Sequence, residues 1–154
     1  MLSPTGPLTL FEETGEIIVV EWGQVKGGTT TPLLTEAKNQ LSEYFARDRE
    51  TFDLPLNPIG TDFQKAVWQQ MLAIPYGETK TYGDLATTLN SAARAVGGAC
   101  DKNPIPIIIP CHRVMGANGK LTGFSGGEGV ETKEALLHLE TPVKNTPQQT
   151  NFEF

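Results

Sequence analysis

The residues best suited to covalent chemistry in this 154-residue chain are Cys111, His112 and Arg113. They end the stretch Pro104-Ile105-Pro106-Ile107-Ile108-Ile109-Pro110-Cys111-His112-Arg113-Val114, where an apolar run bounded by prolines gives way to polar side chains. A nucleophile needs a fixed position and a neighbour to take its proton, and this placement offers both. A cationic or proton-accepting neighbour also lowers a thiol pKa and raises its thiolate fraction. The competing reading is an inert core thiol, a common fate for a cysteine beside isoleucines. Neighbouring side chains in an extended segment point apart, so adjacency alone does not choose between the two.

The elements around this stretch must position it. The isoleucine run reads as a buried strand or extended segment, held out of a helix by its prolines. Upstream, Thr61 with Gln64 fits a capping box and opens a helix whose apolar face is Phe63, Val67, Trp68, Met71 and Leu72. Thr81 is placed to cap a second helix from Tyr82 to Thr88. Leu89-Asn90 turns, and Ser91 is placed to cap a third helix from Ala92 to about Ala99. Two short helices on a tight turn form a helix-turn-helix. The third has almost no side-chain bulk at Ala92, Ala93, Ala95, Gly97, Gly98 and Ala99, and Arg94 projects from it. Each glycine inside a helix costs about 1 kcal/mol relative to alanine. Close approach of another backbone would explain that penalty, and so would tight helix packing.

Toward the N-terminus, Leu8–Glu12 and Ile17–Trp22 alternate as strands around Thr14-Gly15-Glu16, a hairpin. Pro32 begins a helical pattern with Leu33, Leu34, Ala37, Leu41, Tyr44 and Phe45 on one face, and Phe52–Leu56 reads as a further short strand. No chemical constellation is evident there. After Val114, Asn118-Gly119 is a strong hairpin signal. Phe124-Ser125-Gly126-Gly127 is a loop able to close over a planar guest, and Val130–Glu140 is helical by pattern. The expected fold is α+β. Residues 1–57 form a small α/β scaffold, residues 58–140 a mainly helical domain with the helix-turn-helix, and residues 141–154 a disordered tail.

Bulk composition narrows the class. No apolar run approaches the about 20 residues of a membrane span, and the first residues lack a basic start followed by an apolar segment, so no membrane or secretory role is expected. Cys100 and Cys111 alone make no disulfide framework, which fits a reducing cytoplasm. With only His112 and His138 and no Cys-x-x-Cys, neither a metal nor a cofactor is expected. The net charge of −6 argues against nucleic acid, but its distribution does not. Residues 63–127 carry six positive side chains (Lys65, Lys80, Arg94, Lys102, Arg113, Lys120) and three negative ones, a local excess able to meet phosphates.

Pro110-Cys111-His112-Arg113-Val114 resembles the acceptor motif of the O6-alkylguanine-DNA alkyltransferases. The resemblance runs on through Tyr82-Gly83-Asp84-Leu85-Ala86, Ala93–Ala99, Asn103-Pro104-Ile105-Pro106 and Phe124–Gly127, covering about residues 59–140. It implies irreversible, single-turnover transfer of a methyl group from O6 of guanine in double-stranded DNA to Cys111, with the base flipped out. O4-alkylthymine is a further candidate lesion. It also implies that His112 acts as base through a water, oriented by Glu140, and that Tyr82 protonates the leaving guanine. Without the resemblance, Glu140 reads as an exposed helix-end acid and Tyr82 as a core aromatic. DNA contacts fall to Arg94, which fills the gap left by the base, with Tyr82, Ala93, Gly97 and Gly98. Cys100, Val114, Phe124 and Ser125 line the base pocket, and Asn103 is a structural hinge. The turn Leu89-Asn90-Ser91 is shorter than the family's, and the segment 127–133 is longer. A monomer is expected. The competing functions are a non-reactive lesion binder, against which Cys111 argues, a Cys-His hydrolase and a sequence-reading regulator. A hydrolase does not need the smooth helix, and a regulator would carry more base-reading side chains than Arg94.

Overall fold

Alternating apolar residues pair Leu8–Glu13 (β1) with Glu16–Trp22 (β2) as an antiparallel hairpin. Thr14 and Gly15 both take positive φ (53° and 78°), the backbone hand that matches strand twist. This and all that follows comes from a computed structural model that describes residues 1–121, 127 and 129–141. Phe124, Ser125 and the expected tail from residue 142 lie outside the described residues. Leu8, Ile17 and Val20 are buried with Ala37, Leu41 and Tyr44 of helix α1 (Pro32–Phe45). Thr31 caps α1 by accepting from the Leu34 N–H, and Pro32 sits in the first turn, where its missing donor costs nothing. The strand expected at 52–56 is reduced to one parallel bridge between Ile17 and Leu56. Pro55 can only accept there, taking the Ile17 N–H, so no ladder extends through it.

Helix α2 (Asp62–Leu72) opens with the expected capping box of Thr61 and Gln64. Val67, Trp68 and Met71 are buried, but Phe63 and Leu72 are not core residues: 37% and 40% of their surfaces remain exposed. A second capping box, Thr81 with Asp84, starts α3 (Tyr82–Leu89). Asn90 then turns left-handed (φ 53°), and the Ser91 N–H reaches back to the Ala86 carbonyl at 2.8 Å. That bond is the six-to-one closure of a Schellman motif, so Ser91 finishes α3 rather than capping the next helix. Helix α4 (Ala93–Asp101) starts from Ala92 with no side-chain cap.

The isoleucine run is buried, as expected, but it is not a strand. Ile107 has φ of 74°, and the Ile108 N–H bonds the Pro106 carbonyl across it at 2.9 Å. Three-residue turns of that hand are rare and strained for a β-branched residue. Pro110 (φ −82°, ψ 70°) makes the relaxed mirror form, with the Cys111 N–H on the Ile109 carbonyl at 2.8 Å. Two successive tight turns therefore deliver Cys111, which begins a 3₁₀ turn, Cys111–Arg113. Lys80–Thr81 (β3) and Val114–Met115 (β4) pair in parallel and hold the start of α3 beside the acceptor loop. The Asn118-Gly119 turn forms with both residues at positive φ, closed by Gly116 N–H to the Lys120 carbonyl, and no ladder runs beyond it among the described residues. Helix α5 (Val130–Leu139) ends at Glu140. The fold is α+β: a two-stranded hairpin with α1, then a mainly helical part containing the α3–α4 helix-turn-helix.

Hydrogen bonds join the hairpin's unit to the rest, among them Arg47 Nε to the Leu139 carbonyl at 3.1 Å. The Val20 N–H donates to the Pro104 carbonyl at 3.0 Å, and the Tyr44 hydroxyl reaches Glu140 at 2.6 Å. Trp68 ties α2 to α4 through its indole N–H on the Ala99 carbonyl. Gly60 lies over this ring, and a Cβ there would overlap the Trp68 ring and the Gln64 side-chain oxygen. Gly60→Ala is expected to destabilise the fold by roughly 1–3 kcal/mol, as overpacking does. Gly97→Ala, whose Cβ meets nothing within 4 Å, should be neutral or stabilising. Chemical unfolding of the two variants checks the contrast.

Candidate functional site

Cys111 and His112 are held by the 3₁₀ turn, and Glu140 by the end of α5. The fold brings them together: His112 Nε2 lies 2.6 Å from Glu140 Oε2, with His112 fully buried and Glu140 only 1% exposed. Glu140 is therefore not the solvated helix-end acid that its position in the sequence allows. Arg113 grips the same carboxylate with two bonds, Nε to Oε1 at 2.8 Å and Nη2 to Oε2 at 3.0 Å, and spends Nη1 on the Ile74 carbonyl. Tyr44 donates to Oε2 as well. Burial pushes the Glu140 carboxyl up, but the hydrogen bonds from His112 and Arg113 outweigh it and bring its pKa down to about 2.

This network settles the tautomer of His112. An ionised carboxylate only accepts, so Nε2 carries the proton and Nδ1 is left as an acceptor. Nδ1 is buried and has no hydrogen-bond partner among the described residues. Burial lowers the His112 pKa, Glu140 raises it, and Arg113 and Lys133 lower it further, so the ring rests neutral.

Cys111 departs from expectation. A low thiol pKa from cationic neighbours is expected, yet burial pushes the thiol up to about 11. Arg113 is buried and its charge is spent on Glu140, so it supplies no bare cation to the sulfur. Asn103 and Lys133 pull the thiol partway back. Cys111 thus rests as a thiol and needs a base to become a nucleophile. The pairing of Arg113 also removes it from the surface, leaving five exposed positive side chains against three negative ones over 63–127.

The remaining candidates fall into three groups. Tyr82, first residue of α3, sits beside the acceptor loop, with the ammonium of Lys133 5.7 Å from its ring centre. Val114 is buried, and its carbonyl accepts from Lys133 Nζ at 2.5 Å. Cys100 is buried with its sulfur on Met71 Sδ at 3.5 Å, and burial first, then Cys111, pushes its thiol up to about 12. Asn103 ties α4 to the loop: its N–H bonds the Cys100 carbonyl, its amide donates to the Ile109 carbonyl, and its Oδ1 accepts from the Ile105 N–H. Ala93, Arg94 and Gly98 are exposed and Gly97 half-buried on the outer face of α4, opposite Val96, Ala99 and Cys100. A Cβ at Gly97 or Gly98 would meet nothing, so tight packing within the protein does not account for those glycines. Phe124 and Ser125 lie outside the described residues.

Two contributors, Lys133 and Tyr44, were not anticipated, and Arg113 has another role than the expected one. Arg113 belongs to the motif, but its pairing with Glu140 spans 27 residues. Lys133 is fully buried, and its seven-residue spacing from Glu140 puts the two on one helix face, a signal present in the sequence. Tyr44 lies 96 residues from Glu140, and its spacing marks it only as core.

Residues 62–142 match the family model described as 6-O-methylguanine DNA methyltransferase, DNA binding domain, and residues 1–58 match the ribonuclease-like domain of the same description. The chain is 45% identical over 148 residues to a methylated-DNA–protein-cysteine methyltransferase of Methanosarcina acetivorans, covering 90% of this chain and 94% of that protein. It is 45% identical over 151 residues to the constitutive protein of that description from Bacillus subtilis, covering 90% and 91%. A crystal structure of Mycobacterium tuberculosis OGT in complex with DNA superposes with a TM-score of 0.82 at 45% identity, covering 94% of each chain. Among the described residues no helix is long and apolar enough to cross a membrane.

Because the Glu140 carboxyl sits below its ordinary value of 4.5 when folded, its contribution to stability is complete above that value. It is lost as the pH falls through about 2. Glu140→Gln leaves Arg113 buried without its counter-charge and should cost about 3–5 kcal/mol at neutral pH. It should also flatten the loss of stability between pH 4.5 and 2. Urea unfolding across that range measures both effects.

Proposed function

The chain belongs to the 6-O-methylguanine DNA methyltransferase family, and from that premise we propose that it repairs DNA by moving an alkyl group from O6 of guanine to Cys111. The observation that carries this reading is the buried His112–Glu140 pair next to Cys111 in the chain, in which a neutral imidazole with an unpaired acceptor nitrogen follows a thiol that cannot ionise unaided. The thiol proton passes through a water to His112 Nδ1, and Glu140 holds the imidazolium that forms. Sγ attacks the carbon on O6, an S–C bond forms, and the C–O bond breaks with its electron pair going to guanine. Tyr82 supplies a proton to N3, so guanine leaves neutral. Lys133, within reach of both the Tyr82 ring and the Cys111 sulfur's field, favours the two anions that develop. The product is a thioether, which no group of this site hydrolyses, so each molecule acts once.

O6 is out of reach inside the duplex, so the base is flipped into the site. In this reading Arg94 fills the gap, and the outer face of α4, with Ala93, Gly97 and Gly98, lies against the minor groove together with Tyr82. The open space over both glycines supports a close approach from outside the protein. Cys100 and Val114 belong to the proposed pocket, and Asn103 couples α4 to the acceptor loop. The proposed partner is double-stranded DNA bearing O6-alkylguanine, with O4-alkylthymine second, met by a cytoplasmic monomer that needs no cofactor.

Intact mass after mixing with excess O6-methylguanine oligonucleotide is expected to rise by one methyl, mapped to Cys111. Repeated turnover, or methyl on Cys100, contradicts the reading. Arg94→Ala should slow repair in duplex DNA by tenfold or more, on the order of the energy of unstacking a base, while sparing reaction with free O6-benzylguanine. Equal losses on both substrates would take Arg94 out of flipping.

A further inference from the structure

We propose that Tyr44, on the N-terminal helix α1, is a positioning residue of the transfer site, its hydroxyl setting how tightly Glu140 holds His112. The inference rests on the alkyl-transfer reading above, but its geometry stands apart from the DNA. Oε2 of Glu140 is approached by three groups: the Tyr44 hydroxyl at 2.6 Å, His112 Nε2 at 2.6 Å and Arg113 Nη2 at 3.0 Å. All three donate to one oxygen, so the lone-pair density given to Tyr44 is withheld from His112. The hydroxyl has no freedom to turn away. Its ring is fully buried and wedged against Phe45, Phe52 and Tyr76, with centroids 5.3, 5.4 and 6.2 Å away.

The thiol of Cys111 needs a neutral imidazole. A carboxylate bound to His112 alone would hold the ring protonated and leave no base. Arg113 offsets that by charge, and Tyr44 by taking a share of the same oxygen. The charged and titratable groups facing the pair are Arg113 from the acceptor turn, Tyr44 from α1, Tyr76 after α2 and Lys133 from α5. Burial, and then Glu140 itself, drive the Tyr44 phenol far up, so it remains a hydroxyl donor through the working range. The part of the chain with no nucleophile, base or DNA-facing helix thereby governs the protonation of the base.

Tyr44→Phe keeps the ring and removes the donor. His112 should then bind Glu140 more strongly and protonate at higher pH. The single-turnover rate on the acid side should fall roughly three- to tenfold while the alkaline plateau is kept, the size of one charge-assisted hydrogen bond shared between two donors. NMR titration of the His112 ring should move upward in step, a readout that needs no transfer activity. Leu34→Ala loosens the packing of α1 ten residues from Tyr44 without touching a polar group or the rings around Tyr44, and its titration and rate profile should match those of wild type. An unmoved titration in Tyr44→Phe, or an equal displacement in Leu34→Ala, overturns the inference. If Tyr44→Phe does not fold, the wild-type protein still decides: the slowly exchanging Tyr44 hydroxyl proton should shift as His112 titrates, and an insensitive resonance overturns it too. Failure of wild type to take up methyl would count against the alkyl-transfer reading alone.

Discussion

One buried carboxylate organises this protein. Glu140 has almost no contact with solvent, yet it is ionised, because Arg113, His112 and Tyr44 surround it with donors. A lone carboxylate in that position would cost several kcal/mol, and so would Arg113 without its partner. The three donors come from α1 and from the 3₁₀ turn, while the carboxylate ends α5, so the cluster joins the last described helix to the first. The geometry of the candidate site and the tertiary structure depend on the same few bonds.

The second constraint is the loop from Asn103 to Pro110. Prolines remove three backbone donors, and the isoleucines fill the interior. The backbone that satisfies both is a pair of tight turns, one of them strained at Ile107. Asn103 closes the loop from the α4 side and Val20 from the hairpin side. The nucleophile is thus held by elements on both sides, which keeps its position independent of any single helix.

Local chemistry was legible where the signal itself is local. The capping box at Thr61, the cap at Thr81 and the proline start of α1 follow from neighbouring residues, and all three formed, the Thr81 cap completed to a box by Asp84. Ser91 misled because its side chain suits a cap while its N–H was already committed to closing α3. The isoleucine run misled because apolar, β-branched composition reports burial rather than extended backbone, and burial is what it has. Within the site, the motif points to Cys111 and His112, but the ionisation of Cys111 did not follow from its neighbours. Arg113 looks like an activating cation until its partner, 27 residues away, is seen to neutralise it. Tyr44 could not be found at all, since nothing in a helical pattern distinguishes a core tyrosine from one bonded to a distant carboxylate.

The bond between Tyr44 and Glu140 closes a span of 96 residues, and that has a consequence for the moment of synthesis. A chain leaving the ribosome presents its thiol and helix α4 well before residue 140 is joined. Until then His112 has no anchor, Arg113 has no counter-charge, and the loop cannot settle around them. In the proposed mechanism, arming of the nucleophile therefore waits for nearly the whole described chain, and a product ended before Glu140 would carry the cysteine without the group that holds its base.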